Sequence, residues 1–490
     1  MYPPFVFKSR CVIFAVKVFG MEKLRDLYKN IYGCEPQSVV RLTGDGSNRA
    51  YYRMSGVASV MGAVGTSVEE NRAFVALSKA FAAAGVAAPA VIAVSDDGLC
   101  YLQEDLGDVT LYGAMAPVRE SGVFGAADVE CLCRVVAELP KIQFGVARHF
   151  DFSLCYPVSD FNGRTVMWDL NYFKYCFLKG VGIEFNEDRL EDEFVKLTAT
   201  LLSDNDNVFL YRDFQSRNVM LKDGEPFFID FQGGRRGPVY YDIASFVGQA
   251  RARYPEAVVA SMVDAYLDAL TCYKSVEREH FVKMLTLFRI FRLLQNLGAY
   301  GYRGLFERKK AFIEIIPAAL GQLTALLEDS GFGYIRSLVK EVAALPMFVR
   351  SESNELVVDV VSFSYKRGIP DDVSGNGGGF VFDCRAIHNP GRYEPYKKLT
   401  GMDAPVIEFL EKESNIADFL ENAYALVGNM VDTYKKRGFT HVQVCCGCTG
   451  GQHRSVYSAE HIARYVAEKF GVKVVVTHKM LGKRYVIETK

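Results

Sequence analysis

The chain of 490 residues lacks several features that would assign a function directly. Its formal net charge is only −1, with 57 Lys+Arg against 58 Asp+Glu, and no long basic run occurs. Gross charge therefore gives no support for a polyanionic partner such as RNA. The motif Gly-x-x-x-x-Gly-Lys-Ser/Thr is absent, which excludes a P-loop nucleotide site. No signal peptide is evident, so we expect a cytoplasmic protein with reduced thiols.

Cysteine and hydrophobic patterns exclude two further classes of site. The twelve cysteines are scattered, and the Cys445/Cys448 pair has no second pair at the spacing that zinc requires. Residues 1–20 are apolar, but three basic residues interrupt them, and the stretch is too short to span a membrane. We therefore expect no metal at the cysteines and no membrane partner, and we assign no function to this N-terminal extension.

Periodicity predicts two domains after the extension. A strand-rich lobe reaches about residue 106 and holds one helix, Glu70–Ala84; a mostly helical lobe follows, with periodic stretches around 127–142, 168–202, 255–300 and 309–343. The segment Leu345–Met347 interrupts this pattern with a proline, and an alternating β and α module comes after it. We predict domains over residues 21–345 and 352–490. The second has 18 Lys+Arg and 17 Asp+Glu.

The most informative segment is Tyr211–Asn218, followed by Asp230 in Phe228–Gln232. Phosphoryl transfer requires little covalent help from a protein, so a site must position a hydroxyl and neutralise developing charge with Mg²⁺. Asp213 suits the role of the base that takes the hydroxyl proton. Asn218 and Asp230 supply the hard oxygen ligands that Mg²⁺ prefers. The turn signal at Lys222–Glu225 between apolar runs predicts a hairpin that brings both ligand positions to strand ends.

Several motifs make the region from about 22 to 340 resemble the aminoglycoside phosphotransferase and choline kinase-like family, most closely its amino-sugar kinase branch. They are Asp213-(x)4-Asn218-Val219-Met220, Ile229–Gln232, Gly237-Pro238, Tyr241–Ser245 and Leu42–Arg53. The resemblance implies an α+β, bilobal, protein kinase-like fold and an ATP- and Mg²⁺-dependent transfer to an alcohol group. It also implies that Asp242 braces the catalytic loop rather than touching substrate.

The resemblance also implies a nucleotide site. Backbone groups of the Gly44, Gly46 and Ser47 turn, together with Arg49, would meet phosphates, although such a turn is also simply a hairpin. The backbone at Glu104 and Leu106 would bind adenine.

Two positions depart from the family pattern. The third strand, Ser59–Gly65, has no lysine for the phosphates. We therefore expect the glutamate that would orient this lysine, Glu69 or Glu70 of the next helix, to lack its partner, and phosphate contact to fall to Arg49, Arg53 or backbone groups. Tyr211 stands where the family usually has histidine, and a tyrosine with a hydrogen-bonding tip fills such a structural position.

A second informative segment is Val442–Val456, a β-branched strand that enters a glycine-rich loop before a helix from about Ser455 to Phe470. Such a turn directs backbone N–H groups and a helix N-terminus at one point, which predicts an anion site. Arg454 would add a charge-assisted fork for phosphate, and Thr449 and His453 would add donors.

The region from about 354 to 490 closely resembles the RapZ C-terminal domain, which implies a smaller α/β fold that binds an amino-sugar phosphate. The motifs are Val361–Pro370, Phe382–Arg385, Asn389-Pro390, Leu399–Val406 and the glycine-rich loop. The residues implied around the ligand are Cys448, Thr449, Gly450, Gly451, His453, Arg454, Ser455, Asp383 and Arg385. The last two lie two apart on a predicted strand and therefore face one way. They either contact the sugar or pair with each other.

These observations favour a small-molecule kinase that acts on a sugar hydroxyl, with N-acetylglucosamine- or N-acetylmuramate-like amino sugars as the expected acceptors. An amino-sugar phosphate is the expected ligand of the C-terminal domain. The alternative is a nucleotide-binding adaptor that responds to an amino-sugar phosphate but transfers no phosphate, which the missing lysine favours and the intact Asp213, Asn218 and Asp230 oppose. An antibiotic-modifying enzyme fits the fused C-terminal domain less well.

Overall fold

The computed structural model describes residues 20–42, 49–345, 347–348, 356–372 and 378–487. The chain forms two compact units: one runs to Phe306 and includes Glu314–Ala343, and the other comprises Glu307–Ile313 and the residues from Ala344 onward. The predicted phosphate-binding residues Gly44, Gly46 and Ser47 lie outside the described residues.

An antiparallel five-stranded sheet opens the first unit. Its strands, in the order β1-β2-β3-β5-β4, are β1 (Ser38–Arg41), β2 (Ala50–Ser55), β3 (Val60–Val64), β4 (Val91–Val94) and β5 (Cys100–Glu104). Helix α1 covers residues 20–32. Its Leu24 and Tyr28, one turn apart, are fully buried in one cluster with Met54 and Leu102 of the sheet.

Helix α2 (Val68–Ala83) follows β3 and packs its apolar face inward. Phe74, Leu77 and Phe81 lie on one face at helical spacing and are buried. The helix begins two residues before the predicted Glu70, because the Ser67 hydroxyl caps its N-terminus by accepting the N–H of Glu70 at 3.2 Å.

Helices dominate the rest of the first unit. They are α3 (Leu111–Ala114), α4 (Ala116–Ser121), α5 (Ala126–Ala137), α6 (Ala147–His149), α7 (Gly163–Tyr172), α8 (Lys179–Val181), α9 (Glu187–Leu202), α10 (Tyr240–Val247), α11 (Glu256–Leu270) and α12 (Arg278–Gly301). After α13 (Lys310–Ile313), which belongs to the second unit, come α14 (Ile316–Leu327) and α15 (Gly333–Ala343). The four predicted helical stretches are confirmed with breaks. Two of these breaks fall where Asn186 and Glu277 cap a new helix.

Four short strands lie between α9 and α10. Strand β6 (Val208–Leu210) pairs with β9 (Arg235–Gly237), and β7 (Val219–Lys222) pairs with β8 (Glu225–Phe228). The predicted turn closes the β7–β8 hairpin through Asp223 (φ 54°) and Gly224 (φ 83°). Positive φ at both central residues is the conformation that suits a two-residue hairpin.

A five-stranded sheet forms the centre of the second unit. Its strands, in the order β11-β12-β10-β13-β14, are β10 (Val357–Ser364), β11 (Gly379–Asp383), β12 (His441–Cys448), β13 (Lys473–His478) and β14 (Lys483–Ile487). All neighbours are parallel except β13 and β14. The helices are α16 (Ala404–Glu413), α17 (Ile416–Lys436) and α18 (Arg454–Phe470). Strands buried on both faces require continuous apolar runs, which explains the valine-rich sequences of β10 and β13. The sheets and helices of the two units agree with the predicted α+β domain and smaller α/β domain.

Among the described residues, one helical stretch, Lys310–Leu327, is long and apolar enough to cross a membrane on length and composition alone. This observation is weak evidence, because core helices pass the same test. In α14 the residues Ile316, Leu320 and Leu323 are buried.

Candidate active site

The loop after β6 is fixed by a buried carboxylate. Asp242, in the first turn of α10, is fully buried and accepts the backbone N–H groups of Tyr211 at 2.7 Å and Arg212 at 2.9 Å. Arg212 adopts a left-handed φ of 78°, a conformation that costs a non-glycine residue about 1–2 kcal/mol. The two hydrogen bonds offset this strain and set the orientation of Asp213, the next residue. The predicted bracing role of Asp242 is confirmed.

The structure brings Asp213, Asn218 and Asp230 together. Asn218 immediately precedes β7 and Asp230 follows β8 by two residues, so the hairpin places the two side chains side by side. The Asn218 amide Nδ2 donates to the Asp213 backbone carbonyl at 2.9 Å and lies 3.4 Å from Asp230 Oδ2. Asp230 has a φ of 67°, and its Oδ1 accepts Gln232 Nε2 at 2.8 Å.

The electrostatics of this cluster fit a divalent cation. Asp230 is exposed to solvent, yet protein surrounds much of it. Desolvation is the main cause that raises its pKa, and repulsion from Asp213 is the second. The charges of Arg217 and Arg49 act in the opposite direction. Since one end of the Asn218 amide is held by a backbone carbonyl, its oxygen is the end available to a metal. The Asp230 carboxylate and the Asn218 amide oxygen are hard donors of the kind that suits Mg²⁺. Within the described residues, no group of three or more His, Cys, Asp and Glu side chains forms a metal site.

Tyr211 links the loop to the end of the hairpin. Its ring is fully buried between Phe81, Phe214 and Phe231, and its hydroxyl donates to the carbonyl of Ile229, next to Asp230. The prediction of a structural tyrosine with a hydrogen-bonding tip is therefore confirmed.

The residues predicted for adenine lie where the sheet ends. Glu104 is the last residue of β5, its N–H donates to the Ala90 carbonyl at 2.9 Å, and its carboxylate pairs with Lys222 of β7 at 2.6 Å. Leu106 is buried two residues later. The segment 104–106 is thus anchored to the strand that follows Asn218.

The two candidate arginines have different partners. Arg49 Nη2 lies 3.2 Å from Glu70 Oε1, and its side chain is 1% exposed. The expectation that Glu70 lacks a partner is wrong, because a cation reaches it from the start of β2 rather than from β3. Arg53 instead holds the segment after β5: its Nη1 donates to Asp108, and its Nη2 donates to Asp105 at 3.1 Å and to the Gly107 carbonyl at 3.0 Å.

In the second unit, the predicted anion loop connects β12 to α18. Cys448 Sγ accepts the N–H of Gly451 at 3.2 Å and lies 3.1 Å from Ser455 Oγ. Burial by itself would raise the pKa of the Cys448 thiol, but hydrogen bonds from Ser455 and Gly451 and the charge of Arg454 outweigh it and lower the pKa. The N–H of Gly451 and the hydroxyl of Ser455 therefore converge on the Cys448 sulfur, and Thr449 and Gly450 are exposed at the tip of the loop.

Arg454 and His453 serve the loop's own packing. Arg454 is buried, and its Nη1 donates to the carbonyls of Arg385 at 2.8 Å and Ile387 at 2.9 Å. His453 is also buried, with Nε2 2.9 Å from the Tyr396 carbonyl. The Arg454 guanidinium, which was predicted to bind phosphate, thus already uses one of its nitrogens to bond backbone carbonyls.

Asp383 and Arg385 pair with each other. Arg385 Nε lies 2.9 Å and 3.0 Å from the two Asp383 carboxylate oxygens, and Nη2 lies 2.6 Å from Oδ2. The expectation that both lie on one strand is wrong: β11 ends at Asp383, whose Oδ1 accepts the N–H of Arg385 and turns the chain into a 3₁₀ helix.

A buried polar chain in the second unit was not predicted. Ser362 Oγ lies 2.8 Å from His478 Nδ1, His478 Nε2 lies 2.9 Å from Glu460 Oε1, and Tyr485 donates to the same carboxylate. Its members come from β10, β13, α18 and β14, so no local sequence pattern signals it.

Two family models match separate parts of the chain, one in each unit. The phosphotransferase enzyme family model matches residues 38–279, and the RapZ C-terminal domain model matches residues 356–482. A nucleotide-binding protein of Chromobacterium violaceum is 34% identical over 251 residues, which cover 50% of this chain and 83% of that protein. One of Histophilus somni is 36% identical over 137 residues, 28% of this chain and 46% of the relative, so this chain spans less than half of that protein's length.

Solved structures of small-molecule kinases are also similar. A choline/ethanolamine kinase family protein from Mesorhizobium loti is 13% identical, with a TM-score of 0.41, over 62% of this chain and 92% of that one. The ADP-bound aminoglycoside phosphotransferase APH(2'')-Ib is 12% identical, with a TM-score of 0.42, over 62% of this chain and 96% of that one.

Proposed function

Because the chain belongs to the phosphotransferase enzyme family through residues 38–279 and carries a RapZ C-terminal domain over residues 356–482, we propose that it is an ATP- and Mg²⁺-dependent kinase of a sugar hydroxyl. The expected acceptor is an amino sugar. The observation that carries the proposal is the meeting of Asp213, Asn218 and Asp230, with Asn218 Nδ2 3.4 Å from Asp230 Oδ2, on a loop that Asp242 braces.

Each residue has a defined task in this reaction. Asp213 orients the acceptor hydroxyl and takes its proton as the oxygen attacks the γ-phosphorus and ADP leaves. Asn218 and Asp230 would hold Mg²⁺, which when bound neutralises charge on the phosphates. The backbone at Glu104 and Leu106 would bind adenine, and Gly44, Gly46, Ser47 and Arg49 would meet the phosphates; these last assignments rest on the sequence resemblance.

We propose an amino-sugar phosphate as the ligand of the second unit, at the loop Cys448–Ser455. Two features support this assignment: the loop opens a helix of 17 residues, and Thr449 and Gly450 are exposed at its tip. The paired Asp383 and Arg385 leave the carboxylate and the guanidinium half-exposed, so both can meet a sugar at the rim.

A cytoplasmic location is part of the proposal. The eleven cysteines in the described part of the chain are free thiols, including the neighbours Cys445 and Cys446. Free thiols are the usual state in a reducing compartment.

The test is Mg²⁺-dependent ADP release by the purified protein over N-acetylglucosamine, N-acetylmuramate, glucosamine and aminoglycosides, with Asp213→Asn as the control. We expect turnover with an amino sugar that disappears in the variant. Turnover on aminoglycosides alone would overturn the amino-sugar assignment.

A nucleotide-binding adaptor without transfer is the second candidate. The observation in its favour is the absence of lysine from β3, whose sequence is Val-Met-Gly-Ala-Val. Tight ATP binding without turnover on any acceptor would select it over the kinase.

A further inference from the structure

The first unit has an ion pair where its sheet meets its first long helix. Arg49 directly precedes β2, and Ala50 of β2 pairs with Val64 at the end of β3. Arg49 Nη2 lies 3.2 Å from Glu70 Oε1 and 3.4 Å from the Glu70 carbonyl, while its guanidinium lies 5.6 Å from the Phe74 ring centre. The arginine is therefore held at the first turn of α2 by charge and by an aromatic face.

The Phe74 ring also connects this ion pair to the proposed metal site. It stacks on the ring of Phe231, with ring centres 5.0 Å apart, and Phe231 directly follows Asp230 in the chain. Arg49 therefore lies beside a pair of stacked rings that runs from the first turn of α2 to the metal end of the site.

We propose that Arg49 is the cation that binds the nucleotide phosphates in place of a β3 lysine and that Glu70 is its positioning residue. This inference rests on the proposed nucleotide-dependent function. A guanidinium suits the position because its planar fork can bond a carboxylate along one edge and a phosphate along another, and it stays charged at all working pH values.

Arg53 does not fill this role. It lies four residues further along β2, roughly 13 Å at about 3.3 Å per residue, and it is bound to Asp105, Asp108 and the Gly107 carbonyl. Its contacts anchor the segment after β5.

The experiment measures the affinity of the full chain for ATP and for adenosine by titration calorimetry with Mg²⁺ present. For Arg49→Met we expect ATP affinity to fall about 10- to 100-fold, the loss of one charge-assisted contact, and adenosine affinity to stay within about twofold. Arg49→Lys should recover part of the loss.

Glu70→Gln should weaken ATP binding severalfold. Glu69→Gln is the matched control: Glu69 lies beside Glu70 on α2 but is exposed and contacts Ser67, so ATP binding should not change.

Removal of one partner of a buried pair can destabilise the fold. The double variant Arg49→Met/Glu70→Met replaces the pair by apolar side chains of similar length and should melt near the wild type. ATP affinity in this variant should remain as low as in Arg49→Met. Recovery of ATP affinity in the double variant, or an equal loss of ATP and adenosine affinity in Arg49→Met, would overturn the role of Arg49.

The experiment distinguishes failure of this inference from failure of the proposed function. Wild-type protein that binds no ATP would refute the kinase and the adaptor together. Wild-type turnover with unchanged ATP affinity in Arg49→Met would refute only this inference.

Discussion

The bracing of the catalytic loop by Asp242 can be tested with Asp242→Asn. In the wild type both carboxylate oxygens accept backbone N–H groups, from Tyr211 and Arg212. An asparagine offers one oxygen and one NH₂, so one backbone N–H would face another donor. The substitution keeps the size and shape of the side chain and removes one of the two bonds.

The expected magnitude follows from these contacts. A hydrogen bond to a charged acceptor contributes about 1.5–3 kcal/mol, and loss of the buried charge offsets part of this, so the free energy of unfolding should decrease by about 1–3 kcal/mol. The left-handed conformation of Arg212 costs a similar amount, about 1–2 kcal/mol, and the loop should relax when one bond is lost. A displacement of about 1 Å at Asp213 lowers a rate by about 100-fold. We therefore expect kcat to fall about 100-fold and the KM for ATP to change little.

The assay is the initial rate of ADP release with the amino sugar that the wild type accepts, combined with amide hydrogen exchange at Tyr211 and Arg212, which should accelerate. Asp206→Asn is the control, because the Asp206 side chain is also largely buried, pairs with Lys274 and accepts a backbone N–H, that of Val239 at 3.2 Å, just before α10. This variant should lose stability and keep its kcat. Wild-type kcat and unchanged exchange in Asp242→Asn would refute the bracing argument.

Further predictions concern both units. Asp213→Asn should lower kcat by at least about 100-fold and leave the Kd for ATP unchanged in calorimetry; a variant with substantial turnover would contradict the role of the base. Asp230→Asn should raise the Mg²⁺ concentration for half-maximal rate by at least about tenfold, and an unchanged Mg²⁺ titration would argue against a ligand. Desolvation raises the pKa of Asp242 from 3.8 to about 7. The folded state then binds more protons than the unfolded chain between these values, so the free energy of unfolding should decrease as pH rises from about 4 to about 7; urea titrations of Asp242→Asn should lack this slope. Gly451→Ala should destabilise the second unit by about 1–3 kcal/mol, since Gly451 has a φ of 70° and a Cβ would lie 2.4 Å from the Met480 side chain. Gly450→Ala, whose Cβ meets nothing within 4 Å, should change thermal unfolding little.

Local patterns were sufficient for the candidate catalytic residues. Asp213, Asn218 and Asp230 fall within 18 residues of sequence, on one loop and one hairpin, so their proximity follows from a turn signal between apolar runs. The strand pairing was harder to predict from the sequence. Strand β6 pairs with β9 rather than with the hairpin, because this pairing depends on the path that the chain takes after Asp230. In the second unit the strand, loop and helix around Cys448 followed from the glycine-rich pattern. The turn at Asp383 could not be predicted in this way. The strand ends there because the Asp383 carboxylate accepts the backbone N–H of Arg385, two residues ahead.

The sequence by itself predicted the main helical stretches, the β7–β8 hairpin and the loops that present the candidate sites, because periodicity and turn residues act over a few neighbouring positions. Tertiary structure decided which charges meet. It paired Arg49 with Glu70 across 21 residues, directed Arg454 to backbone carbonyls 67 and 69 residues away, and aligned Ser362, His478 and Glu460 in one buried chain. Such pairings depend on burial. A charged or polar group removed from water must find a partner among whatever the packed elements bring near it, and that choice is made only when the sheet and helices are assembled.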